Sequence, residues 1–160
     1  MNRQRAQGIY VVEFAIVGAV LLIVLFAVLE MGRLLYTVNV LNESVRRGAR
    51  LAAVCYIHDE TILRRAVFAE AGSTESRLIS QLDTGQLTLR YLDEQGVEVG
   101  VPDTPDGYLQ IRFVEVSLSG FEFNLLIPFI GGTIELQTFR AILPRESLGR
   151  YPEGTENTPC

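Results

Sequence analysis

Histidine occurs once in this chain, as His58, and cysteine twice, as Cys55 and Cys160. That scarcity excludes most metal chemistry. Cys55, His58 and Asp59 lie close in sequence, but their spacing fits no zinc pattern. Asp103 and Asp106 could ligate calcium, but on a proline-containing stretch they read as turn residues. There is no Gly-x-Ser-x-Gly elbow, no P-loop and no dinucleotide fingerprint. No catalytic residue, metal or cofactor is therefore expected, and the chain reads as a non-enzyme. Positive charge is also in deficit: the net charge is -5 and no basic stripe is present, which argues against nucleic acid as a partner. Two further absences organise the chain. No charge falls between Ala15 and Leu29, and no proline falls between Ile9 and Ile57.

The uncharged, proline-free run has the length of a bilayer. Ile9 to Leu29 is 21 residues, or ~31 Å as a helix, against a hydrocarbon core of ~30 Å. Arg3 and Arg5 precede it with no acid before Glu13, so the positive-inside rule keeps the N-terminus in the cytoplasm and sends the remainder across. A cleaved secretory signal is the rival reading, but its apolar core usually spans only ~7–15 residues. Here the helical pattern continues past Leu29. Leu34, Val38, Leu41, Val45, Gly48, Ala52 and Cys55 recur at spacings of four and three, a heptad-like stripe. The spacing predicts one rod to about Val54, ~69 Å long. Along the stripe large residues give way to Gly48, Ala49, Ala52 and Ala53, which permit close approach by another helix or a sheet. Glu43, Arg46, Arg47 and Arg50 lie off it, as a solvated face or as a contact with a partner or lipid headgroups.

Glu13 is out of place in an apolar helix, at ~2.5–3.5 kcal/mol if central. It either snorkels to the cytoplasmic interface or finds a cation. A cut after Gly8 would make Ile9 a free terminus and Glu13 the fifth residue, so that one subunit's carboxylate could meet a neighbour's ammonium and relieve two unpaired charges.

Gly8, then Glu13-Phe14 opening an apolar helix, resembles the processing site of type IV pilins and pseudopilins. Glu30-Met31-Gly32-Arg33, Leu41-Asn42 and Arg47-Gly48-Ala49-Arg50-Leu51-Ala52-Ala53 are similar to the TadE-like pseudopilins of tight-adherence (Flp) pilus systems. The resemblance covers Gly8 to about Ala53. It implies cleavage at Gly8–Ile9 by a prepilin peptidase, and subunit packing through Glu13, Phe14, Gly48, Ala49 and Ala52. It also implies other pilins and pseudopilins, an inner-membrane assembly platform and the lipid bilayer as partners. The implied setting is a bacterial inner membrane, N-terminus cytoplasmic and C-terminal domain periplasmic, with a place in or at the tip of the pilus left open. The alternative is an uncleaved single-pass protein whose outer domain scaffolds or binds.

The expected fold class is α+β and pilin-like. Residues 1–8 form a leader, 9–29 a transmembrane helix, 30–56 its extension, 57–146 a small α+β domain and 147–160 a polar tail. Within the domain, Asp59 caps a second helix whose apolar pattern continues to about Leu82, with Gly72-Ser73-Thr74 as a candidate interruption. Period-two patterning then gives strands at Leu87–Tyr91 and Val97–Val99 around an Asp93–Gly96 turn, a loop over Pro102–Gly107, and a strand over Tyr108–Leu118 with a bulge at Phe113-Val114. Phe121 to Ile130 reads as one bulky apolar loop, serving as core, as a membrane-proximal loop or as a docking surface. A last strand runs from Ile134 toward Ile142. On the extracytoplasmic side disulfides persist, so Cys55 and Cys160 are a candidate pair within one chain. The other readings are a buried Cys55 with Cys160 free or bridging subunits.

Overall fold

A computed structural model describes residues 3–126, 131–150 and 160, with side chains from Ile9 onward. One helix, α1 (Arg3–Val54), runs 52 residues, about 78 Å. Its length follows from the absence of helix breakers. Only its outer half is covered by protein: Leu41, Val45, Ala49 and Ala52 are buried while Ile9 to Leu29 stay exposed apart from a half-buried Gly18.

Against that half packs a three-stranded antiparallel sheet in the order β1 (Leu87–Leu92), β2 (Phe113–Leu118), β5 (Phe139–Pro144). Val114, Val116 and Leu118 alternate inward from the central strand, joined by Leu87 and Tyr91 from β1 and Phe139 from β5. The other face carries Arg90, Glu115 and Arg140, with Arg90 directly opposite Glu115 in register. Helix α2 (Glu60–Ala66) closes the outer end, with the Asp59 carboxylate accepting from the Thr61 amide at 2.8 Å as its cap. A separate two-stranded ribbon, β3 (Glu122–Asn124) with β4 (Thr133–Glu135), lies toward the end of the apolar run of α1, where Leu126 meets Glu30.

The α+β class and the long helix agree with the sequence. Several expected elements do not. The second helix ends at Ala66 rather than near Leu82: Phe68 has φ 60° and Gly72 φ 84°, and no helix continues through the left-handed region. Val67 and Leu82 are nonetheless fully buried, so the apolar spacing marked core plugs on an irregular segment. The expected strand at Tyr108 begins as a helix, α3 (Pro105–Gln110), because Thr104 caps it, accepting from the Gly107 amide at 3.1 Å, and Pro105 occupies its first turn. The bulge at Phe113-Val114 is absent, since Phe113 to Leu118 pair without a break on both sides. The return strand at Val97–Val99 is reduced to a turn held to β1 by the Val99 amide donating to Tyr91 O at 2.9 Å. The apolar stretch from Phe121 contains β3, and the final expected strand divides into β4 and β5. Residues 127–130 of that stretch lie outside the described residues.

Candidate functional site

Four places along α1 carry the candidate residues. The first is its inner end. Gly8, Ile9, Glu13 and Phe14 all fall within the helix. Ile9 and Glu13 are four residues apart, hence neighbours on one face. Ile9 is 68% exposed and Phe14 80% exposed, and nothing in the described protein covers this stretch. Among the described residues Glu13 has no ion pair. Tyr10 and Tyr36 stand 26 positions apart on the exposed helix, ~39 Å of rise, more than a ~30 Å hydrocarbon core and within the ~40–45 Å of a bilayer with both headgroup layers, where tyrosine concentrates.

The second place is the outer end of the apolar run. Glu30 is buried to 8% exposure. Its Oε1 accepts from Arg33 Nη1 at 2.7 Å and from the Leu126 amide at 3.3 Å. The Arg33 guanidinium lies 5.1 Å from the centre of the Phe123 ring. One acid therefore ties the β3 segment to the helix turn that follows the apolar run. The local signal was an acid and a base three apart immediately after Leu29. Which loop they hold is a long-range fact that this spacing does not carry.

The third is the small-residue stretch. Gly48, Ala49 and Ala52, expected at a subunit interface, are buried inside this chain's own domain. A Cβ at Gly48 would lie 3.1 Å from Ala66 Cβ and 3.2 Å from Val116 Cγ1. Both expected partners, a helix and a sheet, are intramolecular. The face cannot serve a neighbouring subunit while the domain is folded, because α2 and β2 already fill it. Arg46 and Arg50 instead line an open groove with Arg140 of β5.

The fourth is the outer tip. Cys55 and Cys160 form a disulfide with Cα atoms 5.7 Å apart. The Cys160 amide donates to Asp59 Oδ2 at 3.0 Å. Slight burial pushes the Asp59 carboxyl up, but bonds from the Thr61 hydroxyl and from the Cys160 and Thr61 amides, with the Arg65 charge, outweigh it and hold the pKa below the ordinary 3.8. The stabilisation is present above that value and is lost as pH falls through the lower folded value. Leu148 is fully buried, with its amide donating to Ala53 O at 3.1 Å, so the first residues after Glu146 cap the end of α1 rather than trailing away. His58 sits at φ 58°, its amide donating to the Tyr91 hydroxyl at 3.2 Å and its ring edge-on to Tyr91. Among the described residues no three acids, histidines or cysteines converge on a metal-sized space.

Burial pushes the Tyr91 hydroxyl up to about 12 from 10, against the lowering effect of the His58 amide. A phenol whose folded pKa is raised favours folding fully below the unfolded value and progressively less as pH climbs through this window. Tyr91→Phe should cost about 1 kcal/mol near neutral pH, for the lost bond to His58. The deficit should shrink or reverse between pH 10 and 12, read as urea midpoints of the two proteins in detergent. Parallel pH profiles would show that Tyr91 ionisation does not limit alkaline stability.

Residues 8–50 match a family described as TadE-like protein, a little over a quarter of the chain. No curated protein and no solved structure gives a match.

Proposed function

We propose that this chain is a minor pseudopilin acting in assembly or initiation of a tight-adherence (Flp, type IV) pilus used for surface attachment. A prepilin peptidase cuts after Gly8, and the new Ile9 ammonium and the Glu13 carboxylate then direct packing among pilin helices at the inner membrane. The reading has the domain on the periplasmic side and the chain in contact with other pilins and the assembly platform. The protein works by association, and the cutting chemistry belongs to the peptidase.

One observation carries the reading: the TadE-like segment begins at Gly8 and continues into an apolar helix that no described part of the chain covers. An uncovered face of this length calls for lipid or other helices. The same helix carries an acid with no ion pair among the described residues, four positions beyond the proposed terminus. A carboxylate at that depth is stabilised most by an ammonium at the same depth. Glu13 and Phe14 are exposed and remain available for subunit packing, whereas Gly48, Ala49 and Ala52 are not.

The test is the N-terminal mass of the protein purified from membranes that contain the peptidase. The expected species starts at Ile9 and disappears in Gly8→Ala. Glu13→Ala should still be cut but fail to co-purify with other pilins. An intact Met1 terminus would overturn the proposal in favour of an uncleaved single-pass protein with a scaffolding outer domain.

A further inference from the structure

We infer that the β3–β4 ribbon is a second membrane contact, with Leu126 seated in the outer headgroup–acyl boundary of the bilayer beside α1. The inference rests on α1 crossing that bilayer.

Depth is set by a hydrogen bond. Glu30 is the residue after the last of the apolar run, and its carboxylate accepts from the Leu126 amide at 3.3 Å. The backbone of Leu126 is thereby held at the turn where the helix leaves the hydrocarbon. Direction is set by burial. Phe121 and Phe123 lie in the core cluster with Leu41 and Val45 of α1, whereas Leu126, three residues beyond Phe123, is exposed beside Glu30, so the segment runs from the domain core toward the membrane. The ladder continues past the strand ends, with the Leu125 amide donating to Gly132 O at 3.0 Å and the Leu136 amide to Phe121 O at 2.9 Å. The ribbon therefore holds its own shape beyond its three paired positions.

Polarity is divided along the same axis. Glu122 and Glu135 pair across the strands at the end away from the membrane. Toward the membrane Leu126 is 67% exposed, and Leu125, Leu126, Gly131 and Gly132 carry no charge. Around that level lie Arg33 and an exposed Tyr36, the residue types that favour the headgroup layer. An exposed leucine on the same level as, and continuous with, a lipid-facing helix end is covered most economically by the same lipid. The ribbon and α1 then give the domain two points of attachment, which fixes its tilt over the membrane as well as its height.

The chain contains no tryptophan, so single substitutions report one site each. Leu126→Trp, Phe26→Trp and Val97→Trp would be made in the full chain and reconstituted in phosphatidylcholine vesicles with and without acyl-brominated lipid. Phe26 lies in the apolar run, and Val97 is 61% exposed on the turn after β1. The expected result is strong quenching of Phe26→Trp and about a twofold loss for Leu126→Trp, as for a side chain ~5–10 Å into the boundary. Val97→Trp should be untouched by brominated lipid and quenched by aqueous iodide. Loss of quenching at Leu126→Trp alone overturns the inference while leaving the span intact. Shielding of Leu126→Trp from both quenchers overturns it in favour of a protein occupant, such as a second copy of this chain. No quenching at Phe26→Trp overturns the spanning reading itself, and lipid quenching at all three sites means unspecific surface adsorption, which also overturns it.

Discussion

Cys160→Ser should lower the stability of the folded domain by about 2–4 kcal/mol, and a reductant should do the same to the unmodified protein. The bridge spans 105 positions, a loop for which the chain-entropy relation gives ~4.7 kcal/mol. It also delivers an amide to Asp59, the residue that caps α2. Loss of the cross-link therefore reaches α2 and the seat of Tyr91 against His58. Cys55→Ser should cost more than Cys160→Ser, because Cys55 is buried to 1% exposure and a hydroxyl there has to leave water. Urea unfolding in detergent micelles, followed by tyrosine fluorescence with and without reductant, measures both. Equal midpoints for oxidised and reduced protein would show that the bridge contributes nothing to the fold.

Gly48→Leu should destabilise the domain by about 3 kcal/mol, toward the upper end for overpacked cores. Alanine at an ordinary helix position gains about 1 kcal/mol over glycine. Here its Cβ would already press on Ala66 Cβ and Val116 Cγ1 at 3.1 and 3.2 Å, so Gly48→Ala should come out near neutral or below. A leucine has to push α1 away from α2 and β2. Gly32→Leu, on the same helix with nothing within 4 Å of its Cβ position, should not destabilise and should gain about 0.5–1 kcal/mol from helix propensity. Combining Gly48→Ala with Ala66→Gly should be better than the sum of the two, with a coupling of about 0.5–1 kcal/mol for a contact pair. Strict additivity would place the close approach elsewhere.

This second case also shows where reading the chain stops. The run Gly48 to Ala53 announces close approach correctly, yet the same pattern suits a neighbouring subunit and the chain's own core. The choice is made by Ala66 and Val116, 18 and 68 positions downstream. Thr104 before Pro105 is a local helix-start signal, but it sits among two prolines and two aspartates that equally suit a loop. Leu82 fits a helical period while lying on an irregular segment, because the core beneath it accepts any backbone that delivers the side chain. The isolated acid and base at Glu30 and Arg33 gave no hint of Leu126, whose amide is 96 positions away.

Composition and spacing alone determined the long helix, its lipid-length apolar half, the placement of Glu13 relative to Gly8, and the stripe that turns inward beyond the apolar run. Each of these is a local property: a helix period, a run length or a charge count is complete within a few turns of chain. Only the tertiary structure decided that the small-residue face closes on its own domain, that β3 and β4 form a separate ribbon, and that this ribbon is tied to the helix where the apolar run ends. Those outcomes depend on which distant side chains fill a given face, and burial is non-directional, so a pattern can state that a face is covered without stating by what.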